Sequence, residues 1–457
     1  MACCSCEVQR RADVPSLQRR SVTESDAADQ ARHGRVDSAT RPVAAMLAPL
    51  FRTLLGDPPP LPVRFWDGSL FGEPTGRATI ILRSRVALQR IIRAPGELGF
   101  ARAYVSGDLE VEGDLIHALR VLSRVNPQLR VEPRTWFRTV RWAGKLGLLG
   151  RGPAPPPEEA RLRGKPHSKR RDASAILHHY DVGNDFYRLV LGPTMTYSCA
   201  RFETADSTLD AAQDAKCDLV CRKLGLEPGM RLLDVGCGWG GMLCHAARYY
   251  GVQAVGITVS RAQHALARER ATSLGVGDRV DIRLQDYREL QDEQFDAISS
   301  IGMLEHVGHA RLQDYSNILA AVLRPGGRLL NQAITTPNGA AWGRRSFLAR
   351  YVFPDGELPD LATVVAATQQ TGLEVRDVES LREHYALTLR AWLTNLESNW
   401  AEAVALVGPA RARIWRLYMS GSVVSFETAE IGVNQVLAVK VDSAGTSHMP
   451  LTRRPYL

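Results

Sequence analysis

Short apolar runs alternate with amphipathic stretches through the second half of the chain. Continuous runs of roughly four to eight apolar residues are typical of strands that are buried on both faces. Their alternation with segments of helical spacing is typical of a parallel sheet. We therefore predict a doubly wound α/β domain with a mainly parallel sheet. The predicted strands cover residues 231–235, 253–258, 280–284, 295–300 and 328–334.

Glycine and proline mark the ends of several predicted elements. The sequence Pro325–Gly327 predicts a turn before the fifth strand, and Gly408 predicts a break between closing helices at 385–407 and 409–419. In open sheets of this kind, ligands bind at the carboxyl ends of the strands. Candidate functional residues are therefore expected where the strands end.

The first half of the chain has a more mixed pattern. Residues 61–72 predict a β-hairpin around an Asp-Gly turn, and residues 77–82 predict another strand. Residues 86–92 and 115–125 have helical spacing. These elements predict a small α+β domain, and it contains no cluster of residues typical of catalysis.

Composition divides the chain into five segments. The first is rich in arginine and lacks periodic apolar positions, which is typical of disorder. The third is rich in proline and then in basic residues, which is typical of a linker. The predicted boundaries are 1–42 for a disordered tail, 43–150 for the small α+β domain, 151–172 for the linker, 173–445 for the α/β domain and 446–457 for a tail.

Much of the net charge of +8 sits in the basic run 161–171. Such a run is either a solvated linker or a surface that attracts anions. Because no segment resembles a nucleic-acid-binding module, an anionic lipid surface is the better partner. No apolar run approaches the ~18–20 residues of a membrane span, and no apolar segment follows Met1. We therefore expect a cytoplasmic protein with peripheral contact to the membrane.

Eight cysteines are scattered along the chain without the paired spacing of zinc sites. We therefore expect reduced thiols and no metal site.

The first strand of the α/β domain ends in a glycine-rich turn. Residues 232–240 read LLDVGCGWG, so Asp234 is followed by Gly236, Gly238 and Gly240. Glycine lets a ligand approach the backbone and permits positive φ angles. The spacing differs from that of dinucleotide-binding turns, and the Lys-Ser/Thr of a phosphate-binding loop is missing. The turn therefore predicts a site for S-adenosylmethionine (SAM).

The next two strand ends also carry polar residues. A ribose-binding carboxylate is missing after the second strand, where Thr258, Ser260 and Gln263 are expected to contact the cofactor. After the third strand, Asp286 is expected to accept from the adenine amino group and Tyr287 to cover the ring.

Four motifs together resemble those of the cyclopropane-fatty-acyl-phospholipid synthase family, which includes the mycolic acid cyclopropane synthases. They are residues 179–184 (HYDVGN), 195–200 (MTYSCA), 236–240 (GCGWG) and 305–308 (EHVG). The resemblance covers about 173–440 and extends more loosely to the small domain. It implies a SAM-dependent methyltransferase fold in which Tyr197, Ser198 and Trp239 join the cofactor-binding residues.

The resemblance also implies a reaction. Members of the family transfer a methyl group from SAM to a cis double bond of a lipid acyl chain, and a bound bicarbonate deprotonates the resulting carbocation. By motif, the bicarbonate site maps to Cys199, Glu305, Ile334, Tyr385 and Gln332. Gln332 stands where the family has histidine. An amide can donate a hydrogen bond to bicarbonate, but it cannot take up a proton as an imidazole does. The resemblance further suggests a homodimer.

Four functions remain open at this point. The first is a cyclopropane synthase acting on unsaturated phospholipid or another lipid acyl chain. The second makes the same methyl transfer but gives a methylene-branched or methyl-branched chain, and Gln332 motivates it. The third is an N-methyltransferase for a soluble amine. The fourth is a lipid-binding protein without catalysis.

Overall fold

A computed structural model provides the structure of the chain. It describes residues 42–74, 76–125, 141, 144–148, 152–160, 168, 171–172, 179, 182–291, 293–337, 343 and 346–456. The disorder predicted for 1–42 and most of the basic run 161–171 therefore lie outside the described residues. Residues 43–457 belong to one compact unit.

A small sheet forms the amino-terminal part of this unit. Its strands are β1 Val63–Arg64, β2 Leu70–Phe71, β3 Ala78–Leu82 and β4 Leu109–Gly113, in the order β2-β1-β3-β4. The predicted hairpin is present, because β1 and β2 pair antiparallel. The surrounding helices are α1 Val43–Leu55, α2 Arg85–Arg93, α3 Glu97–Val105 and α4 Leu115–Ser123.

The second sheet has seven strands in the order β10-β11-β9-β8-β5-β6-β7. The five strands from β9 to β7 in this order pair parallel, as predicted, and β11 and β10 extend the sheet antiparallel. The strands are β5 Arg231–Val235, β6 Gln253–Thr258, β7 Val280–Leu284, β8 Phe295–Ile301, β9 Leu323–Thr335, β10 Glu374–Ser380 and β11 Gly432–Val439.

Helices cover both faces of this sheet and one end of it. They are α5 Asn184–Leu191, α6 Leu209–Leu224, α7 Gly241–Tyr250, α8 Arg261–Ser273, α9 Leu312–Val322, α10 Leu361–Gln369, α11 Arg382–Ser398, α12 Trp400–Val407 and α13 Pro409–Glu427. A π-helical turn covers Leu348–Val352, and 3-10 turns cover Tyr287–Glu289, Leu304–His306, His309–Arg311 and Arg454–Tyr456. The last of these turns places Tyr456 in the core, within the segment predicted as a tail.

The turn predicted at Pro325–Gly327 is wrong. These residues lie within β9, where the pairing with β8 shifts between Phe295 and Ala297. The amide of Gly326 donates to the carbonyl of Lys440, the residue after β11, so this segment continues the pairing of β9 with β11. The Pro-Gly-Gly sequence therefore makes a bulge in the strand.

The small sheet and the α/β part share one hydrophobic core. The largest cluster of buried side chains runs from Val43 through the small sheet to α5, α11 and α13. Arg413 on α13 crosses the junction, donating to Glu110 Oε2 at 2.6 Å and to Leu109 O at 2.8 Å. The amino-terminal part is therefore packed beside the helices that close the site described below.

Candidate active site

A cavity opens where β5, β6 and β8 end. The glycine-rich turn forms its floor. Gly236, Gly238 and Gly240 have φ angles of +77°, +55° and +78°, which L side chains rarely adopt. A Cβ on Gly238 would meet no atom within 4 Å, so this position faces open space in the cavity. The turn is thus shaped for close approach of a ligand to the backbone.

Most residues predicted for the cofactor lie around this cavity. Thr258 and Gln263 line it and are bonded to each other, with Thr258 Oγ1 donating to Gln263 Oε1 at 2.8 Å. The other predicted residues in the lining are Tyr197, Ser198, Asp234, Gly236, Gly238, Trp239, Asp286 and Tyr287.

Two of the predicted residues, Ser260 and Gly240, lie behind the lining. The Ser260 hydroxyl caps α8 by accepting from Gln263 N at 3.3 Å. A Cβ on Gly240 would lie 3.2 Å from the Ala267 side chain, so this glycine allows α7 and α8 to pack closely. Both residues support the turn and helix that form the cavity wall.

Asp286 is strongly engaged by the protein itself. Its two carboxylate oxygens accept from the Nε and Nη2 atoms of Arg288 at 2.8 and 2.7 Å. Arg288 also donates to Asp172 at 3.2 Å, and all three residues line the cavity. The adenine contact predicted for Asp286 would therefore have to be made beside this ion pair. The neighbouring Tyr287 packs edge-on against Tyr315.

Asp234 is a buried carboxyl at the end of β5. Ser299 on β8 donates to Asp234 Oδ1 at 2.6 Å. Burial raises the pKa of Asp234 to about 6, while the Ser299 hydrogen bond and the charge of Lys216 act in the opposite direction. Asp234 and Lys216 both line the cavity, although only Asp234 was predicted.

A second cavity adjoins the first. Tyr197, Ser198, Gly302 and His306 line both of them. The second cavity brings together the five residues predicted for bicarbonate, which come from distant parts of the chain. Its full lining adds Cys199, Glu305, Gln332, Ile334, Phe353, Gly356, Leu358, Tyr385, Tyr418 and Val433.

Glu305 is held by one hydrogen bond and left short of another. Its Oε1 accepts from the Ile334 amide at 2.7 Å, whereas Oε2 is buried without a hydrogen-bond partner among the described residues. Burial raises the pKa of Glu305 to about 7, and the Ile334 hydrogen bond limits the shift. A buried carboxylate oxygen without a donor is costly, so this atom fits a ligand that supplies one.

Gln332 is fixed by the strand beside it. Gln332 on β9 and Gln435 on β11 are directly paired across the sheet, and Gln435 Nε2 donates to Gln332 Oε1 at 3.0 Å. The Gln332 carbonyl is thereby occupied, which leaves its amide group for the cavity. Gln332 therefore contributes its amide group to the wall of the second cavity.

Cys199 remains a neutral thiol in this cavity. Its Sγ donates to Ala200 O at 3.2 Å and lies 3.6 Å from Leu381 O. Burial raises the pKa of Cys199 far above the usual range for a thiol. It is thus placed as a packing and hydrogen-bonding group. Tyr385 completes this wall, with its ring 4.6 Å from that of Phe426.

Aromatic side chains enclose the junction of the two cavities. The Tyr197 hydroxyl donates to Tyr418 Oη at 3.2 Å and lies 3.1 Å from His179 Nε2. The His179 ring is in turn 4.3 Å from Phe353 and 5.3 Å from Trp415, measured between centroids. The junction therefore presents several aromatic faces beside the buried Glu305 carboxyl.

Sequence reasoning gave no role to three charged residues that line the first cavity: Asp172, Lys216 and Arg288. His306, which belongs to the EHVG motif, lines both cavities. Burial lowers the pKa of His306 to about 4, so this imidazole is neutral. Lys216 lies on the buried side of α6 with Ala212 and Val220, and its position at helical spacing between these apolar residues was the signal that could have found it.

The fold agrees with the comparisons to known proteins. A solved structure described as mycolic acid cyclopropane synthase CmaA1 complexed with SAH and CTAB has a TM-score of 0.55 and 35% identity; the match covers 58% of this chain and 97% of that one. The protein is a SAM-dependent methyltransferase of the doubly wound α/β class.

The family model "Mycolic acid cyclopropane synthetase" matches residues 167–436, and the chain belongs to this family. A probable fatty acid methyltransferase of Mycobacterium tuberculosis is 45% identical over 408 residues, which cover 87% of this chain and 94% of that protein. Cyclopropane-fatty-acyl-phospholipid synthase of Escherichia coli is 34% identical over 347 residues, covering 75% of this chain and 83% of the synthase. No helix in the described ranges is long and apolar enough to cross a membrane.

Proposed function

We propose that the protein transfers the methyl group of SAM to the cis double bond of an unsaturated lipid acyl chain, giving a cyclopropane ring. The observation that carries this proposal is the second cavity, which joins the cofactor cavity through Tyr197 and His306 and is walled by aromatic and aliphatic side chains. An alkene is a weak nucleophile, so methyl donor and double bond have to be held close together in a dry site.

The residues at the junction suit a reaction that develops positive charge. The faces of Tyr197, Tyr418 and Phe353 attract a cation, and the Glu305 carboxylate adds a negative charge nearby. Burial keeps His306 neutral, so it adds no opposing charge. These side chains would stabilise a carbocation on the acyl chain while excluding water.

The residues of the second cavity also fit a bicarbonate ion. The unpartnered Glu305 Oε2 would accept from its hydroxyl, and the Gln332 amide group would donate to it. When bound, the ion would supply a proton acceptor beside the acyl chain. The Ile334 amide is already donated to Glu305 and would have to be shared.

Gln332 favours a second candidate product. Because a glutamine amide does not accept and release protons, the proton removed from the acyl chain cannot pass on through this position as it would through a histidine. Slow ring closure would give a hydride shift time to occur, and loss of a different proton would then leave a methylene branch. Both products add one CH₂ to the chain, so mass alone does not separate them.

The test is incubation with SAM and vesicles of a cis-monounsaturated phospholipid, followed by mass spectrometry of the released fatty acids. A gain of one CH₂ in the unsaturated chain, and none in a saturated phospholipid, is expected. Soluble amines serve as the competing acceptors. Methylation of an amine without any change in lipid would replace this proposal with an N-methyltransferase.

A further inference from the structure

Lys216 carries a charge that no described residue neutralises by direct contact. It lies on α6, is 1% exposed and lines the cofactor cavity. Its ammonium donates to Ser198 Oγ at 3.1 Å. A lysine ammonium has three N–H donors, so this hydrogen bond accounts for one of them.

A second buried lysine on the same helix shows the usual arrangement. Lys223 is also 1% exposed, but its ammonium forms ion pairs with Asp377 at 3.2 Å and with Glu379. Among the described residues, no carboxylate oxygen lies within 4.0 Å of the Lys216 ammonium. Burying a charge is costly unless it is paired, so Lys216 lacks what Lys223 has.

Asp234 is the acidic group that Lys216 faces across the cavity. The charge of Lys216 acts on the Asp234 carboxyl, yet the two groups do not touch, and Asp234 Oδ1 is bonded to Ser299. The cavity therefore presents a separated cation and anion. This arrangement is complementary to the carboxylate and ammonium of a zwitterionic amino acid.

We propose that Lys216 binds the α-carboxylate of the methionine part of SAM, with Ser198 holding the Lys216 ammonium in place. The proposal deepens the use of SAM by the protein and does not depend on which acceptor is methylated. It assigns a binding role to a residue outside the glycine-rich turn and the strand ends.

The test compares SAM with decarboxylated SAM, which keeps the sulfonium and the amine but lacks the carboxylate. Calorimetry gives the dissociation constant of each compound with the purified full chain, without lipid. The wild-type protein is expected to bind SAM about 10–100-fold more tightly than the decarboxylated compound, because charged hydrogen bonds are lost. Equal affinity would overturn the proposal without any variant.

The same comparison with Lys216→Met separates a binding role from a structural one. The variant is expected to lose about 10–100-fold in affinity for SAM while its affinity for decarboxylated SAM changes little, so that the preference disappears. A variant that weakens both compounds equally would show that Lys216 acts only through the fold.

Lys223→Met is the matched control, since it removes an equally buried lysine from the same helix. It is expected to lower the thermal stability because Asp377 loses a partner, while the preference for SAM remains. Loss of the preference in this control as well would contradict the assignment to Lys216. If SAM binds as expected but no lipid is methylated, the proposed function fails and this inference stands.

Discussion

The carboxyl group of Glu305 is under two opposing influences. Burial favours its neutral form, whereas the Ile334 amide favours the charged form. At neutral pH the residue is therefore close to its midpoint of titration, which suits a group that has to respond to charge on a neighbouring substrate.

We expect Glu305→Gln to abolish methyl transfer to lipid while leaving SAM affinity nearly unchanged. The substitution keeps the shape but removes the negative charge, and Glu305 lines the second cavity rather than the cofactor cavity. Turnover and calorimetric binding of SAM are measured on the same preparation. Glu357→Gln is the control, because Glu357 is a nearby carboxylate that pairs with His309 outside both cavities. Full activity in Glu305→Gln would refute the assigned role.

The same variant is expected to be more stable than the wild type at high pH. Between pH 4.5 and about 7 the folded wild type binds a proton that the unfolded chain releases, so stability falls as pH rises through this window. Above it, the folded wild type contains a buried carboxylate, and glutamine should be more stable by about 3 kcal/mol. Denaturant unfolding at pH 4 and pH 8 measures this. A stability difference independent of pH would contradict the expectation.

Gly238→Ala is expected to weaken SAM binding by at least about tenfold. The added methyl would enter open space in the cofactor cavity, and the positive φ would strain an alanine. Gly229→Ala tests strain alone, since Gly229 also has a positive φ and open space but lies outside the cavity. Comparable affinity in the two variants would show that the cavity is not the SAM site.

Individual site residues could be predicted where a motif carried them, and not where burial alone defines them. Tyr197, Glu305 and Tyr385 stand in recognisable sequence contexts. Lys216 reveals its environment only after α6 is packed. A lysine in a sequence is normally assigned to the surface, because lysines are rarely buried unless paired.

At the scale of elements, the parallel strands were predicted within a residue or two at most ends. The central strands β5, β6 and β8 are buried along nearly their whole length, and their sequences are largely apolar. The strand β10 was missed because its sequence, EVRDVES, is mostly charged and lies at an edge of the sheet. The strand β11 was missed although it carries Gln435, which positions Gln332. The structure was therefore needed to find the antiparallel strands and the polar pair that joins β11 to β9.

The pairing of β9 with β11 leads to a prediction about the product. Gln332→His is expected to raise turnover and the fraction of ring-closed product, because an imidazole accepts a proton and Gln435 is in place to orient it. Gas chromatography and NMR of the released fatty acids measure both quantities. A variant with unchanged product composition and no gain in turnover would show that this position does not limit proton removal.

At the scale of the whole molecule, the distribution of positive charge bears on contact with lipid. The basic run 161–171 was predicted to attract an anionic surface. Arg171 in this run is engaged within the protein, forming an ion pair with Asp355. Its reversal would therefore disturb the fold as well as the surface charge.

We expect reversal of charge at Lys169 and Arg170 alone to weaken binding to anionic vesicles at low salt. The attraction is electrostatic, so the difference from wild type should shrink as salt is added, while neutral vesicles should show none. Vesicle sedimentation across a salt series measures it. Unchanged binding at low salt would assign the run to a simple linker.

The central claim is that a lipid double bond receives the methyl group of SAM. The most direct measurement incubates the protein with methyl-labelled SAM and monounsaturated phospholipid vesicles and locates the label in the acyl chain by NMR. A cyclopropane signal is the expected result, whereas an exocyclic methylene signal would favour the branched product. Absence of label from the lipid, with SAM bound by the same protein, would contradict the claim.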